Sequence, residues 1–257
     1  MGDDFRLSSF YEPRTNTDLD REYRERITAH FESAKGTTYE KLWSFARFAP
    51  RQRLTMLLSK YEIMKQILDV QGSIVECGVH YGGGLFEWLQ LCEILEPRNY
   101  QRYIYGFDNF EGFDGITEKD EHARKSVHLR QGGMKADVYE DLLENISAYD
   151  YCRTLGHIQK VFLYKGDAMQ TIPRCVEENP QLVVSLLYLD IDLYEPTLAA
   201  LQHFYPLMPK GGIVVFDELN CDKFPGETVA LKEYLGIGNL QIKRSTFDTW
   251  ISYAVKS

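Results

Sequence analysis

Apolar positions along this chain change their spacing near residue 73. Before it, Leu54, Leu57, Leu58, Tyr61, Met64, Ile67 and Leu68 recur at three- and four-residue steps across 50–69, the period of an amphipathic helix. Pro50 suits the first turn of that helix. Further upstream the chain is polar and aromatic by turns, and Asp18–Ser33 reads as a helix exposed on one face. After residue 73, short apolar runs at 74–76, 103–108, 161–164, 182–190 and 212–217 alternate with helical patterns at about 84–95, 138–147, 168–178, 196–206 and 226–235. Runs of this length between helices predict buried parallel strands in βαβ units. Pro196 and Pro225 sit near helix starts, and Gly236 sits where a C-cap belongs. Residues 240–244 and 250–255 alternate weakly and read as an antiparallel pair closing the sheet edge. The expected fold is therefore α/β: a Rossmann-like, mostly parallel sheet of seven strands with an antiparallel C-terminal strand. Residues 109–160 are too long for a connector and read as a lid or binding insertion. The expected division is an N-terminal helical lid over 1–70 and one α/β domain over 71–257.

Composition narrows the class. The 257 residues are 44% hydrophobic and 26% charged, which suits a globular chain. The net charge of −9 lacks the basic face that nucleic acid requires, so nucleic acid is not an expected partner. The start, MGDDFRLSSFYE, has no basic n-region and no apolar h-region, so no secretion signal is expected. The longest near-apolar stretch, 182–191, falls far short of the roughly 20 residues that span a bilayer, so no membrane association is expected. The cysteines at 77, 92, 152, 175 and 221 show no CxxC spacing, which argues against a disulfide framework or a structural zinc site and fits a reducing cytoplasm.

The candidate chemistry lies at the ends of the strands, where open α/β sheets bind ligands. Glu76, Asp108, Asp167, Asp190 and Asp217 each end or closely follow an apolar run. Helix N-caps explain one or two such acids readily and remain the alternative for each. The first turn, Glu76-Cys77-Gly78-Val79-His80-Tyr81-Gly82-Gly83-Gly84, offers glycine for close backbone approach but is not the dinucleotide G-x-G-x-x-G. Asp108 has two acceptor oxygens for a ribose diol, and Asp167 is placed to accept from an adenine amino group. Glycine, acid and acid describe an adenosyl pocket without a phosphate grip, which favours S-adenosylmethionine (SAM) over NAD or ATP. Strand alternation puts Asp190 and Asp192 on one side, and the next strand brings Asp217 and Glu218 alongside. Clustered hard oxygen donors suit Mg²⁺, and a cation relieves their mutual repulsion.

The segments ECGVHYGGG, YGFDNFEGF, YKGD, LYLDIDLYEPT and GGIVVFDE resemble the macrocin-type sugar O-methyltransferases (the TylF/MycF/NovP group), including enediyne-type rhamnose O-methyltransferases, over roughly 50–220. The resemblance implies a class I SAM methyltransferase sheet, with SAM and Mg²⁺ as cofactors. It implies that Glu76, Gly78, Tyr81, Gly82, Asp108, Asn109, Asp167 and Asp190 surround SAM. It implies that Asp190, Asp217 and Glu218 hold the metal and that Asp192 is the general base. The acceptor it implies is a small-molecule glycoside or nucleotide sugar, and the assembly a homo-oligomer. One departure stands out: Glu218 replaces the second aspartate of the family pattern. By the same analogy the Arg53–Met56 stretch closes over the cofactor. A catechol-type O-methyltransferase is the competing enzyme reading, and a non-catalytic SAM-binding module is the competing non-enzyme reading. His80 and Cys77 read as packing residues, and Glu118, Asp120 and Glu121 as a solvated loop face.

Overall fold

The computed structural model describes Glu12 and residues 15–257; residues 1–11 of the start whose lack of a secretion signal is noted above lie outside them. Five parallel strands form the centre: β1 (Ser73–Cys77), β2 (Ile104–Asp108), β3 (Val161–Lys165), β4 (Val184–Leu189) and β5 (Ile213–Phe216). Two C-terminal strands complete the sheet, β6 (Lys243–Arg244) and β7 (Ser252–Val255). The order is β3-β2-β1-β4-β5-β7-β6, with β7 antiparallel to both neighbours. The seven-stranded, mostly parallel sheet is thus the one expected.

Helices α1 (Asp18–Ser33), α2 (Thr38–Trp43) and α3 (Arg51–Gln66) precede the sheet, and α4 (Gly83–Leu95) follows β1. α5 (Tyr139–Asp150) lies in the long insertion. α6 (Ala168–Glu178), α7 (Tyr194–Phe204) and α8 (Gly226–Tyr234) follow β3, β4 and β5. Alternation along the strands sorts these helices to two faces. Val75, Cys77, Leu187, Leu189, Val214 and Phe216 pack with α6, α7 and α8. Ile74, Leu186, Tyr188, Ile213 and Val215 pack with α3, α4 and Leu142 of α5. Cys77 is wholly buried in the first of these layers, as its packing role requires.

α3 is rotated from the stripe read in the sequence. Ser59, Lys60, Ile63 and Met64 are its buried residues, whereas Leu58 and Leu68 lie exposed. Ile67, just past its end, is buried with them. The C-terminal half of the helix packs into the core, while its first turns lie at the surface. α1 has no buried residue, and a capping box of Thr17 and Asp20 fixes its start. At the other end of the chain Gly236 takes φ 73° and donates its N–H to Leu231, so it serves as the expected C-terminal stop of α8.

Candidate active site

Register brings the strand-end residues together. Cys77 lies beside both Phe107 and Leu189, and Leu189 lies beside Phe216. The next residues, Gly78, Asp108, Asp190 and Asp217, therefore emerge on one rim. Gly78 is required there by its neighbour across the rim. It has φ 94°, and a Cβ on it would stand 1.6 Å from the carbonyl oxygen of Asp190. Gly82, the left-handed N-cap of α4, has Leu142 of the insertion where a Cβ would go. Both glycines thus serve close packing between segments of the fold as well as the open turn.

Asp108 is held from two sides. Its Oδ2 accepts the His80 N–H and its Oδ1 the Phe110 N–H, each at 2.7 Å. One lone pair per oxygen is left over. His80 is half-buried at φ 49° and its ring meets Tyr81 edge-on at 4.5 Å, which agrees with a packing role; Tyr81 itself is largely exposed. Asn109 spends its amide on its own turn, donating to Gly112 and accepting from Glu111. Asp167 caps α6 by accepting the Met169 N–H at 2.9 Å, the ordinary structural use of such an acid. All three residues nonetheless line the large cavity described below.

The acids after β4 and β5 form a half-buried cluster on the cavity wall. β4 ends at Leu189, so Asp190 and Asp192 do not share a face by strand alternation. Instead Asp192 enters the left-handed region at φ 63°, and this turn returns its carboxyl to the rim. That carboxyl is hydrogen-bonded to Glu218 and is pushed up to about 7, chiefly by burial and then by the charge of Asp217. Burial likewise holds Asp190 well above the usual carboxylate range, with Asp217 and Asp192 adding to the rise and Lys60 opposing it. Asp217 is raised by burial, although the Tyr188 hydroxyl donates to it at 2.8 Å. Glu218 is raised by burial, then by Asp192 and Asp217.

Two members of the site escaped sequence reading. Glu227, wholly buried in the first turn of α8, accepts the Glu218 N–H at 3.1 Å and fixes the loop that carries Asp217 and Glu218. Lys60 is a buried cation from α3, 2.9 Å from Glu76 Oε1. The acid at a core-facing strand position was the available signal, since it demands a charged partner; the burial of Lys60 shows only once the rotation of α3 is known. Arg53 pairs with Glu87 at 2.6 Å beside Gly83, so the start of α3 does approach the glycine turn.

Asp120 corrects an expectation. It is no solvated loop acid but only 1% exposed. Its Oδ1 accepts the Tyr194 N–H at 2.7 Å, and its Oδ2 accepts from the Thr117 N–H and hydroxyl. The insertion thereby caps α7, two residues beyond Asp192. Gly226 of α8 packs against the same carboxylate, where no Cβ would fit.

The rim opens into a cavity of about 1970 Å³. Its walls include the rim acids, the glycine turn, Asn109 and residues 111–115 of the insertion, and Tyr23, Ile27 and Phe31 of α1. Pockets for small molecules commonly measure about 300–1,000 Å³, so this one has room for two bound molecules. Among the described residues, no three His, Cys, Asp or Glu side chains stand together as a ready-made metal-ligand set. The donor chemistry still suits a hard cation. Asp217 lies near enough to raise both Asp190 and Glu218, and Glu218 Oε2 is buried without a hydrogen-bond partner.

This sheet order, the glycine turn after β1 and the acids of the rim define a class I SAM-dependent methyltransferase. The chain belongs to the macrocin O-methyltransferase (TylF) family, whose profile matches residues 22–253. A demethyldecarbamoylnovobiocin O-methyltransferase from Streptomyces niveus is 28% identical over 72% of this chain and 70% of its own length. A mycinamicin III 3''-O-methyltransferase from Micromonospora griseorubida is 26% identical over 58% of this chain and 56% of its own. Among solved structures, the calicheamicin methyltransferase CalS11 superposes with a TM-score of 0.88 at 34% identity, covering 93% of both chains. Its apo structure, described as a TDP-rhamnose 3'-O-methyltransferase, gives a TM-score of 0.80 at 33% identity and covers 93% of this chain and 95% of its own.

Proposed function

We propose that this methyltransferase acts on a hydroxyl of a sugar, as a glycoside or nucleotide sugar in antibiotic biosynthesis, and that it uses a divalent cation. The observation that carries the reading is the cavity. Its wall combines a glycine-and-acid rim suited to SAM with residues of α1 and the insertion, and its volume leaves room for a glycosylated acceptor beside the cofactor. The names of the relatives point the same way.

SAM, when bound, supplies a methyl group activated by its sulfonium charge. We assign Glu76, Gly78, Tyr81, Gly82, Asp108, Asn109, Asp167 and Asp190 to its surroundings. Asp108 keeps one free lone pair on each oxygen for a ribose diol. A divalent cation, when bound, would be held by Asp190, Asp217 and Glu218 and would acidify and aim the attacking hydroxyl. Asp192 takes the proton of that hydroxyl. Its carboxyl, near 7, is matched to proton transfer at neutral pH. The rim acids line a cavity rather than a sealed core, and fixed positioning of the two reactants rather than a covalent intermediate supplies most of the acceleration. We further propose that α1 and α2 form the lid, that α3 belongs to the scaffold, and that the protein is a homo-oligomer. The five free cysteines support a cytoplasmic site of action, and no described helix is long and apolar enough to cross a membrane.

The test is a methyl-transfer assay with labelled SAM and Mg²⁺, offering TDP-rhamnose, rhamnosylated glycosides and a catechol side by side. Label in a sugar product, lost after EDTA treatment and restored by Mg²⁺, is the expected result. Full activity in EDTA would sink the metal, and label only in the catechol would sink the sugar acceptor.

A further inference from the structure

We propose that Lys60 is a positioning residue for cofactor binding: the ammonium that α3 supplies holds Oε1 of Glu76 and leaves Oε2 to receive the α-ammonium of the methionine half of SAM. The proposal rests on the reading of Glu76 as a cofactor residue. Glu76 occupies a strand position whose in-register neighbour on β4 is Tyr188, so alternation points it to the α3–α4 face. A carboxylate on that face needs a partner. Lys60 and Glu76 are each 1% exposed, and the Nζ–Oε1 distance is 2.9 Å. The ammonium also lies 4.8 Å from the Trp88 ring and 4.3 Å from the Tyr188 ring, which fixes it on two further sides. Glu87, the competing acid, is farther away at 3.7 Å and already pairs with Arg53.

The fit is tight. A Cβ on Gly84 would fall 2.1 Å from Glu76 Oε1 and 2.4 Å from Lys60 Nζ, so the first turn of α4 closes directly over the pair. What remains is Glu76 Oε2, a buried oxygen without a hydrogen-bond partner on a residue that lines the cavity. An unsatisfied acceptor in such a place calls for a donor from a ligand. The ammonium of an amino-acid group is a donor of matching charge.

The proposal is tested by calorimetric titration of the full chain with two probes. S-adenosylhomocysteine carries the α-ammonium; 5′-methylthioadenosine has the same adenosine and thioether but no amino-acid half. K60M is expected to weaken S-adenosylhomocysteine by roughly 10–100-fold, the worth of a charge-assisted hydrogen bond, and to leave methylthioadenosine within about twofold. K60Q, which keeps an N–H donor for Glu76, is expected to recover part of the loss. Equal weakening of both probes would mean that Lys60 merely supports the fold, and unchanged S-adenosylhomocysteine affinity would exclude any role; either overturns the proposal. Should K60M fail to fold, the same two probes on K60Q decide it by the same criterion. E76Q separates the two levels of the argument. If it binds S-adenosylhomocysteine as the parent does, the cofactor role of Glu76 falls. If it binds weakly while the Lys60 variants bind normally, only the Lys60 proposal falls.

Discussion

Asp192 combines an unusual backbone with a crowded carboxyl. Its left-handed φ of 63° is tolerated by Asp and Asn better than by most residues, so D192N is expected to keep the turn while losing the base. Turnover should fall by roughly 10²–10⁴-fold with S-adenosylhomocysteine affinity unchanged, as read by a transfer assay beside calorimetry. Because the carboxyl is raised to about 7, the folded ligand-free protein holds a proton between about pH 4 and 7 that the unfolded chain has released. Stability from this group therefore falls as pH rises through that window. Melting curves at about pH 5 and 7.5 should show a smaller pH-dependent drop for D192N than for the parent. The rim acids were legible because each ends or follows an apolar run. Lys60 was not, since it reads as the polar side of α3 until the rotation of that helix is known. Glu227 was not, because an acid in the first turn of a helix has an ordinary explanation in the helix dipole.

At the scale of elements, the rim is held by close packing between loops. G78A forces a Cβ onto the Asp190 carbonyl from a left-handed backbone. It is expected to cost more than about 2 kcal/mol, measurable by urea denaturation. D120A leaves the N–H groups of Tyr194 and Thr117 without their buried acceptor, at a cost of about 1–3 kcal/mol. Because Asp120 caps α7 just beyond the turn of Asp192, turnover should drop as well, while thermal shifts induced by S-adenosylhomocysteine persist. The elements themselves were largely readable. The five parallel strands begin and end within about two residues of their apolar runs, since burial on both faces leaves little polarity to confuse them. α2 was not readable, because six residues of mixed polar and aromatic character carry no period. The left-handed turn at Asp192 was hidden too, because no glycine marks it.

Across the whole molecule, the apolar surface is unevenly spent. Tyr39, Leu42, Trp43 and Phe45 around α2 lie exposed at 51–80% within a few residues of one another. Such a cluster favours association. Sedimentation of the parent is expected to show a species larger than 29.9 kDa, and a W43E/L42E variant should shift it towards the single chain. The sheet order carries a consequence for biosynthesis. β5, whose four residues Ile-Val-Val-Phe are wholly buried, is flanked by β4 and β7, and β7 comes last in the chain. On the ribosome, β5 therefore waits with one edge unpaired while the remaining residues are translated. Throughout that interval the strand leading into Asp217 is an open template for another nascent chain. The yield of active enzyme should accordingly depend on how quickly β7 arrives or on what shields that edge until it does.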